Sequence, residues 1–182
     1  MIHSIGIDPS TKTGISVTEC NRETGLYKSL KREILSAPKG MVGMERANHI
    51  SIEVQKMVQA SRSSLSGCDH IKPIIVLEGY GFGHASSIQI IAEIGTLIRF
   101  RLMQINFSYI EVAPTALKKF VTGKGNAKKD LMLMEVYKRW GIECKTHDEA
   151  DAFGLSMYGL AVNGFISVPK AHLDQKLIAK LP

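Results

Sequence analysis

Apolar and polar residues alternate with a period of two at the start of the chain, where Ile5 and Ile7 interleave with Ser4, Gly6 and Asp8. That is the pattern of a strand with one face against a core and a polar face carrying Asp8. The turn-forming stretch Asp8-Pro9-Ser10-Thr11-Lys12-Thr13-Gly14 follows, and Ile15-Ser16-Val17 restores the alternation, so a β-hairpin opens the sheet. Asn21 to Gly25 reads as the next turn and Leu26 to Leu35 as a third strand, which its lysines mark as an edge. From Met44 the period changes. Ala47, Ile50, Val54, Met57 and Val58 recur every three or four positions, with Glu45, Arg46, Glu53 and Lys56 between them, which predicts a surface helix with one buried face. The polar stretch Ser61 to Gly67 reads as a loop, and Ile74-Ile75-Val76-Leu77 as a short central strand with Glu78 at its end.

A second helical pattern, Ile88, Ile91, Ile94, Ile98, Leu102 and Ile105, is apolar enough to predict a largely buried helix, and it leads to a strand candidate from Phe107 to Val112. Pro114 suits the first turn of a short helix ending near Phe120. Gly123-Lys124-Gly125 interrupts the chain before helical spacing resumes from Lys128 to Trp140, whose indole precedes Gly141 as a helix-end anchor. The last strong helix begins near Thr146, with the capping-box pattern Thr146-x-x-Glu149, and runs to about Asn163, where Gly164 and Pro169 stop it. Leu173, Leu177, Ile178 and Leu181 keep helical spacing in a tail that could cover the core or a second subunit. There is no internal repeat and no domain-length linker. Strands come first and helices interleave later, so the expectation is one mixed α/β domain over residues 1–165 with a tail over 166–182.

Composition supports this reading and narrows the setting. The chain has 182 residues, 45% of them hydrophobic, and 23 Lys+Arg against 17 Asp+Glu for a formal charge of +6. A chain of this size hides roughly two-thirds of its unfolded surface, enough for a core without disulfide or metal. Its apolar runs are short, Ile74 to Leu77 among them, whereas a membrane-spanning helix needs about 20 mostly apolar residues. Cys20, Cys68 and Cys144 lie far apart, and the opening Met1-Ile2-His3-Ser4 carries no cationic and apolar leader, so a reducing, cytoplasmic compartment is expected. The positive balance permits a polyanionic partner without requiring one.

Four carboxylates are placed where burial is costly or where they share a face. Asp8 ends the first strand, Glu78 ends the buried strand next to glycines, and Asp148 and Asp151 lie three apart at the start of the last helix. Singly, each has an ordinary explanation as a turn residue, a strand-end charge or an N-terminal helix carboxylate. Together they point to a shared site for a hard divalent cation, which prefers oxygen ligands.

The blocks Ile5-Gly6-Ile7-Asp8-Pro9-Ser10 to Thr13-Gly14, Val76-Leu77-Glu78, Leu117 through Lys129, and Asp148-Glu149-Ala150-Asp151-Ala152 together resemble the RuvC family of Holliday-junction resolvases. They occur in the family's order and nearly span the chain. The resemblance implies an RNase H-like mixed β-sheet flanked by helices in a single domain, a homodimer, and an endonuclease that uses two Mg²⁺ ions, with Mn²⁺ as a substitute, to nick two strands at a four-way DNA junction. It assigns the metal-binding acids to Asp8, Glu78, Asp148 and Asp151, with Asp8 bridging both ions. It also assigns phosphate-contacting lysines to Lys118 and Lys129. Ser10 stands where the family commonly has glycine, a change expected to affect the turn more than the chemistry.

Lys118, Lys119, Lys124, Lys128 and Lys129 cluster around Gly123 and Gly125. A lysine run is usually a solvated face, but glycines let the backbone approach an anion and the following helix start presents free amides, so Lys124 joins Lys118 and Lys129 as a DNA-binding candidate. In the loop Gly79-Tyr80-Gly81-Phe82-Gly83 the family places an aromatic wedge three residues after the glutamate. Here that position is Gly81, flanked by Tyr80 and Phe82, either of which is a candidate to stack on bases. Met132, Leu133 and Met134 suit core or dimer packing. His147 adjoins Asp148 but is most simply incidental, and the Ile88–Ile105 helix is the expected dimer interface, with Ile91 and Ile98 as its contacts. Alternative readings keep the acids and change the rest: an RNase H-like nuclease for other branched DNA or RNA/DNA substrates, a non-catalytic branched-DNA-binding module, or a sugar-kinase or actin-like ATPase. The last lacks a second Asp-x-Gly phosphate loop. Branch-migration partners are not specified by any motif.

Overall fold

The computed structural model describes residues 1–65, 72–81 and 85–173. Its elements follow in the order β1 (Ile2–Asp8), β2 (Thr13–Cys20), β3 (Tyr27–Leu35), α1 (Gly43–Ser64), β4 (Ile74–Glu78), α2 (Ala85–Gln104), β5 (Ile110–Val112), α3 (Pro114–Thr122), α4 (Lys129–Trp140) and α5 (His147–Val162). One sheet holds the strands in the order β3-β2-β1-β4-β5. β1 pairs antiparallel with β2 and parallel with β4, with Asp8 opposite Gly14 and Ile7 opposite Leu77. β5 extends the parallel half, with Glu78 opposite Val112. The lysine-flanked β3 is indeed the edge, antiparallel to β2.

Helices cover both faces. Ile5, Ile7, Ile15 and Val17 pack with Ile75 and Leu77 against Ala47, Ile50, Val54 and Val58 of α1 and Ile94, Ile98 and Leu102 of α2. Ile2, Cys20 and Val76 pack on the opposite face against α3, α4 and α5, where Phe120, Phe153 and Tyr158 are fully buried. Phe120 stacks on Trp140 at 5.8 Å and meets Tyr158 edge-on at 5.0 Å, and Trp140 meets Phe153 edge-on, so one aromatic cluster ties three helices together. Trp140 is thus the helix-end anchor expected of it, and Gly141 closes α4 in a left-handed conformation.

The face of β1 expected to be polar is buried instead. Ser4, which is fully buried, donates from its hydroxyl to the Ser156 carbonyl at 2.7 Å, and the Thr18 and Ser156 hydroxyls are 2.8 Å apart. The reason is α5, which lies directly on β1 and β2: a Cβ on Gly6 would fall 2.0 Å from the Ala152 carbonyl oxygen, and one on Gly14 would fall 2.2 Å from that of Asp148. Small and hydroxyl side chains on that face permit a backbone approach that any larger residue would prevent.

Three further expectations change. α1 continues through the stretch read as a loop to Ser64, because Ser61 is buried and its hydroxyl lies 2.8 Å from His3 Nδ1. The strand expected from Phe107 is confined to Ile110–Val112, since Asn106 takes a left-handed φ of 58° and the Phe107 amide donates to Leu102 O, closing α2. Ile98, placed at a dimer interface, is fully buried beneath the sheet with Ile94 and Leu102. The exposed apolar residues of α2 are Ile88, Phe100 and Met103. Of the methionine-rich segment in α4, Met132 is buried and Met134 exposed. In the tail, Lys170–His172 form a single 3-10 turn and Leu173 packs on the core, while Leu177, Ile178 and Leu181 lie outside the described residues. No helix among the described residues is long and apolar enough to cross a membrane.

Gly6→Ala is expected to destabilise the protein by about 3 kcal/mol or more, because overpacking against backbone cannot relax by a rotamer change. Thermal unfolding followed by circular dichroism reads this directly, and an unchanged melting temperature would contradict the seating of α5 on β1.

Candidate active site

Asp8, Glu78, Asp148 and Asp151 line one cleft of about 660 Å³. Asp8 arrives at the end of β1 and Glu78 at the parallel end of β4 beside it, because register pairs Ile7 with Leu77 and leaves both acids at the same edge of the sheet. Asp148 and Asp151 come from the first turns of α5, which crosses above that edge. Thr146 caps the helix, its hydroxyl accepting from the Glu149 amide at 3.2 Å. The reciprocal half of the expected capping box is displaced by one residue: the Glu149 carboxylate accepts from the Lys145 amide at 2.8 Å and from Arg32 Nε at 2.8 Å. This anchors the start of α5 to β3.

The cleft concentrates negative charge where water is scarce. Burial holds the Asp8 carboxyl well above its ordinary value, reinforced by the charge of Glu78, the hydrogen bond between the two and the charge of Asp148. Burial likewise pushes Glu78 up to about 7, offset in part by the hydrogen bond from Asp8, with Asp151 raising it further. Asp151 rises to about 7 by burial and by the charges of Asp8 and Asp148. Lys118 and Lys129 oppose these shifts at Glu78 and Asp151, and Lys129 does so at Asp8.

As placed, the acids do not form a closed cage: among the described residues no three His, Cys, Asp or Glu side chains are gathered into an ion site. Asp8 and Glu78 lie within mutual influence, each contributing to the other's shifted carboxyl. An all-oxygen donor set in which Asp8, Glu78 and Asp151 are held above their ordinary values fits a hard divalent ion.

The basic candidates divide. Lys118 on α3 and Lys129 at the first turn of α4 line the cleft. Lys124 lies beyond the C-terminus of α3, exposed in the turn and away from the cleft lining. Tyr80 lines the cleft but is not a free aromatic: its hydroxyl lies 3.0 Å from Thr96 Oγ1 and the Arg99 guanidinium stacks 4.4 Å from its ring centroid. Phe82 lies outside the described residues. His147 pairs with Asp130 at 3.2 Å and does not line the cleft, in keeping with its incidental reading. In the turn after β1, Ser10 accepts from the Lys12 amide while Thr13 Oγ1 donates to Ser10 O at 2.6 Å, so serine supports the turn in place of glycine. Arg99, Thr96 and Pro114 also line the cleft. The sequence patterns do not single them out, although Arg99 is one of two arginines, with Arg101, on an otherwise isoleucine-rich helix.

Comparison with known proteins identifies the family and agrees with the fold. The family model for the crossover junction endodeoxyribonuclease RuvC matches residues 4–158. Proteins of that name from Prochlorococcus marinus and Synechococcus are each 24% identical, over 159 and 160 residues, covering 86% and 85% of this chain and 96% of each relative. Among solved structures, Thermus thermophilus RuvC in complex with a Holliday junction substrate superposes with a TM-score of 0.69 at 16% identity, covering 86% of this chain and 92% of that one. Another Thermus thermophilus RuvC structure gives 0.64 at 17% identity, with 84% and 89% covered.

The raised carboxyl values fix a sign. Because the folded state keeps protons at Asp8, Glu78 and Asp151 that the unfolded chain has released, these groups favour folding less and less as pH rises from about 4 through about 7. With EDTA present, Asp151→Asn is expected to raise the melting temperature clearly more at pH 7.5 than at pH 5, and Mg²⁺ to stabilise the wild type more at the higher pH. Differential scanning fluorimetry measures both. Equal effects of the substitution at the two pH values would count against the crowding of these acids.

Proposed function

This chain belongs to the RuvC family of crossover junction endodeoxyribonucleases, and from that premise we propose that it resolves four-way DNA junctions by metal-dependent hydrolysis of phosphodiester bonds. The observation that carries the reading is the convergence of Asp8, Glu78, Asp148 and Asp151 with Lys118 and Lys129 in one cleft.

The division of labour follows from charge. Asp8, Glu78, Asp148 and Asp151 would hold two divalent ions, Mg²⁺ or Mn²⁺, with Asp8 central because the charges of both Glu78 and Asp148 act on it. Such ions would supply Lewis-acid charge for hydrolysis of the phosphodiester. Lys118 and Lys129 offset the carboxylate charge and receive the phosphate backbone, which would otherwise be repelled by four acids. The first turn of α4 has no side-chain cap, so its amides are available to the same phosphates. Pro114 and Tyr80 add apolar surface to the cleft lining.

Symmetric nicking of a four-way junction needs two such sites, hence two copies of the chain. The side of α2 that presents Ile88, Phe100 and Met103 to solvent is the face that such pairing would cover.

Asp8→Asn and Asp151→Asn are expected to lose junction nicking while retaining junction binding, measured with labelled four-way junction and linear duplex in Mg²⁺ or EDTA. Cutting of flaps, hybrids or duplex with no cutting of junctions would keep the metal site and change the substrate. Retained cutting by Asp8→Asn would sink the assignment. Replacing both Lys118 and Lys129 with alanine is expected to lower the slope of log affinity against log salt by about 2, one for each lysine–phosphate pairing removed.

A further inference from the structure

Glu78 is followed by Gly79 and, after Tyr80, by Gly81, so the main chain that carries this carboxylate out of β4 has little stiffness of its own. Beyond the bond from the Gly79 amide to Val112 O at 2.8 Å, one side chain from another element restrains it. Arg99, on α2, donates from Nη2 to the Glu78 carbonyl at 3.3 Å and from Nε and Nη2 to Glu111 Oε2 at 3.0 and 2.8 Å, while its plane stacks on Tyr80 at 4.4 Å from the ring centroid. A single guanidinium thus ties the end of β4, the end of β5 and the loop beyond Glu78 to one helix.

The surroundings are shaped for it. A Cβ on Gly95 would fall 2.7 Å from Arg99 Nη1 and 3.3 Å from the Tyr80 ring, so the stack as it stands uses the space that position 95 leaves free. At Gly79 the Glu111 carboxylate oxygen lies 3.2 Å from where a Cβ would stand. Arg99 is mostly buried, at 13% side-chain exposure, and its shielded Nη1 has no hydrogen-bond partner among the described residues. A buried donor left uncompensated is a cost, and it indicates a side chain kept for the place it holds. Its hydrogen bonds go to Glu111 and to the Glu78 main chain, so the effect on chemistry argued for it passes through Glu78.

We propose that Arg99, held by Glu111, is a positioning residue that fixes the main chain at Glu78 and Tyr80 and thereby sets the Glu78 carboxylate for divalent-cation binding. The inference rests on the reading of the cleft as a metal-dependent nuclease site. Lysine keeps the charge but has neither the planar fork nor the stacking surface, so Arg99→Lys isolates the geometric role. Partners that orient a metal ligand are typically worth about 10-fold or more in affinity or activity.

The test measures Mn²⁺ binding by calorimetry and, separately, junction nicking across a Mn²⁺ titration, for wild type, Arg99→Lys, Glu111→Gln and the double variant. Arg99→Lys is expected to weaken Mn²⁺ binding about 10-fold and to lower kcat at limiting Mn²⁺, with KM for the junction nearly unchanged and the rate recovered by excess Mn²⁺. Glu111→Gln shifts binding in the same direction by less, and the double variant adds little to Arg99→Lys because both act through one contact. A merely structural role would instead lower the melting temperature and the rate equally at every Mn²⁺ concentration. Wild-type Mn²⁺ affinity in both single variants overturns the proposal, and if Arg99→Lys does not fold, Glu111→Gln alone decides it. A wild type that binds Mn²⁺ with these shifts in the variants, yet does not cut junctions, upholds the positioning role and rejects the junction substrate. A wild type that binds no Mn²⁺ rejects both.

Discussion

The fold depends on the contact between α5 and the centre of the sheet. Gly6 and Gly14 admit the backbone of the helix to a distance at which no side chain fits, and the hydroxyls of Ser4, Thr18 and Ser156 satisfy one another across the seam. That approach brings Asp148 and Asp151 over the strand end that carries Asp8. A helix seated one side chain farther away would weaken the mutual influence of Asp8 with Asp148 and Asp151.

Holding four carboxylates together is unfavourable, and the rest of the structure opposes the tendency to separate. Arg32 and the Lys145 amide grip Glu149 and so fasten the N-terminus of α5 to β3. The aromatic cluster of Phe120, Trp140, Phe153 and Tyr158 binds α3 and α4 to α5, which fixes the two lysines relative to the acids they offset. Arg139 and His172 hydrogen-bond the carbonyl oxygens at the C-terminal end of α3, donating to Val121 O at 2.8 Å and lying 3.0 Å from Phe120 O respectively. Lys118 therefore projects from a helix restrained at its end, in its packing and in its turn. On the other side of the cleft a single arginine does comparable work for Glu78.

The division between these two halves has a chemical logic. The cations that oppose the carboxylate charge directly, Lys118 and Lys129, are compact charges on flexible stems. The cation that fixes the strand end must not move, and an arginine stacked on a tyrosine and bonded to a glutamate is rigid in the required way. Each residue type stands where its mechanics are suited to the task.

Much of this could be read in the chain alone, because period-two and period-3.6 patterns report which face of an element is apolar, and the acids stand at the ends of elements so identified. The hairpin, the edge position of β3, the cap at Thr146 and the four carboxylates belong to that class. What the patterns could not report is what covers a face. The alternation around Ser4, Gly6 and Asp8 reads as exposed because its residues are small and polar, yet those are the residues that let a helix backbone pack directly on a strand. Ile98 is apolar whether it meets the sheet or a second subunit. Arg99 contacts residues 12 to 21 positions away in sequence, and such a contact follows from the crossing of α2 beyond β4 and β5, which no local spacing encodes. Local periodicity is a property of one element. The distance between elements, and with it the shared electrostatics of the cleft, is decided only when they pack.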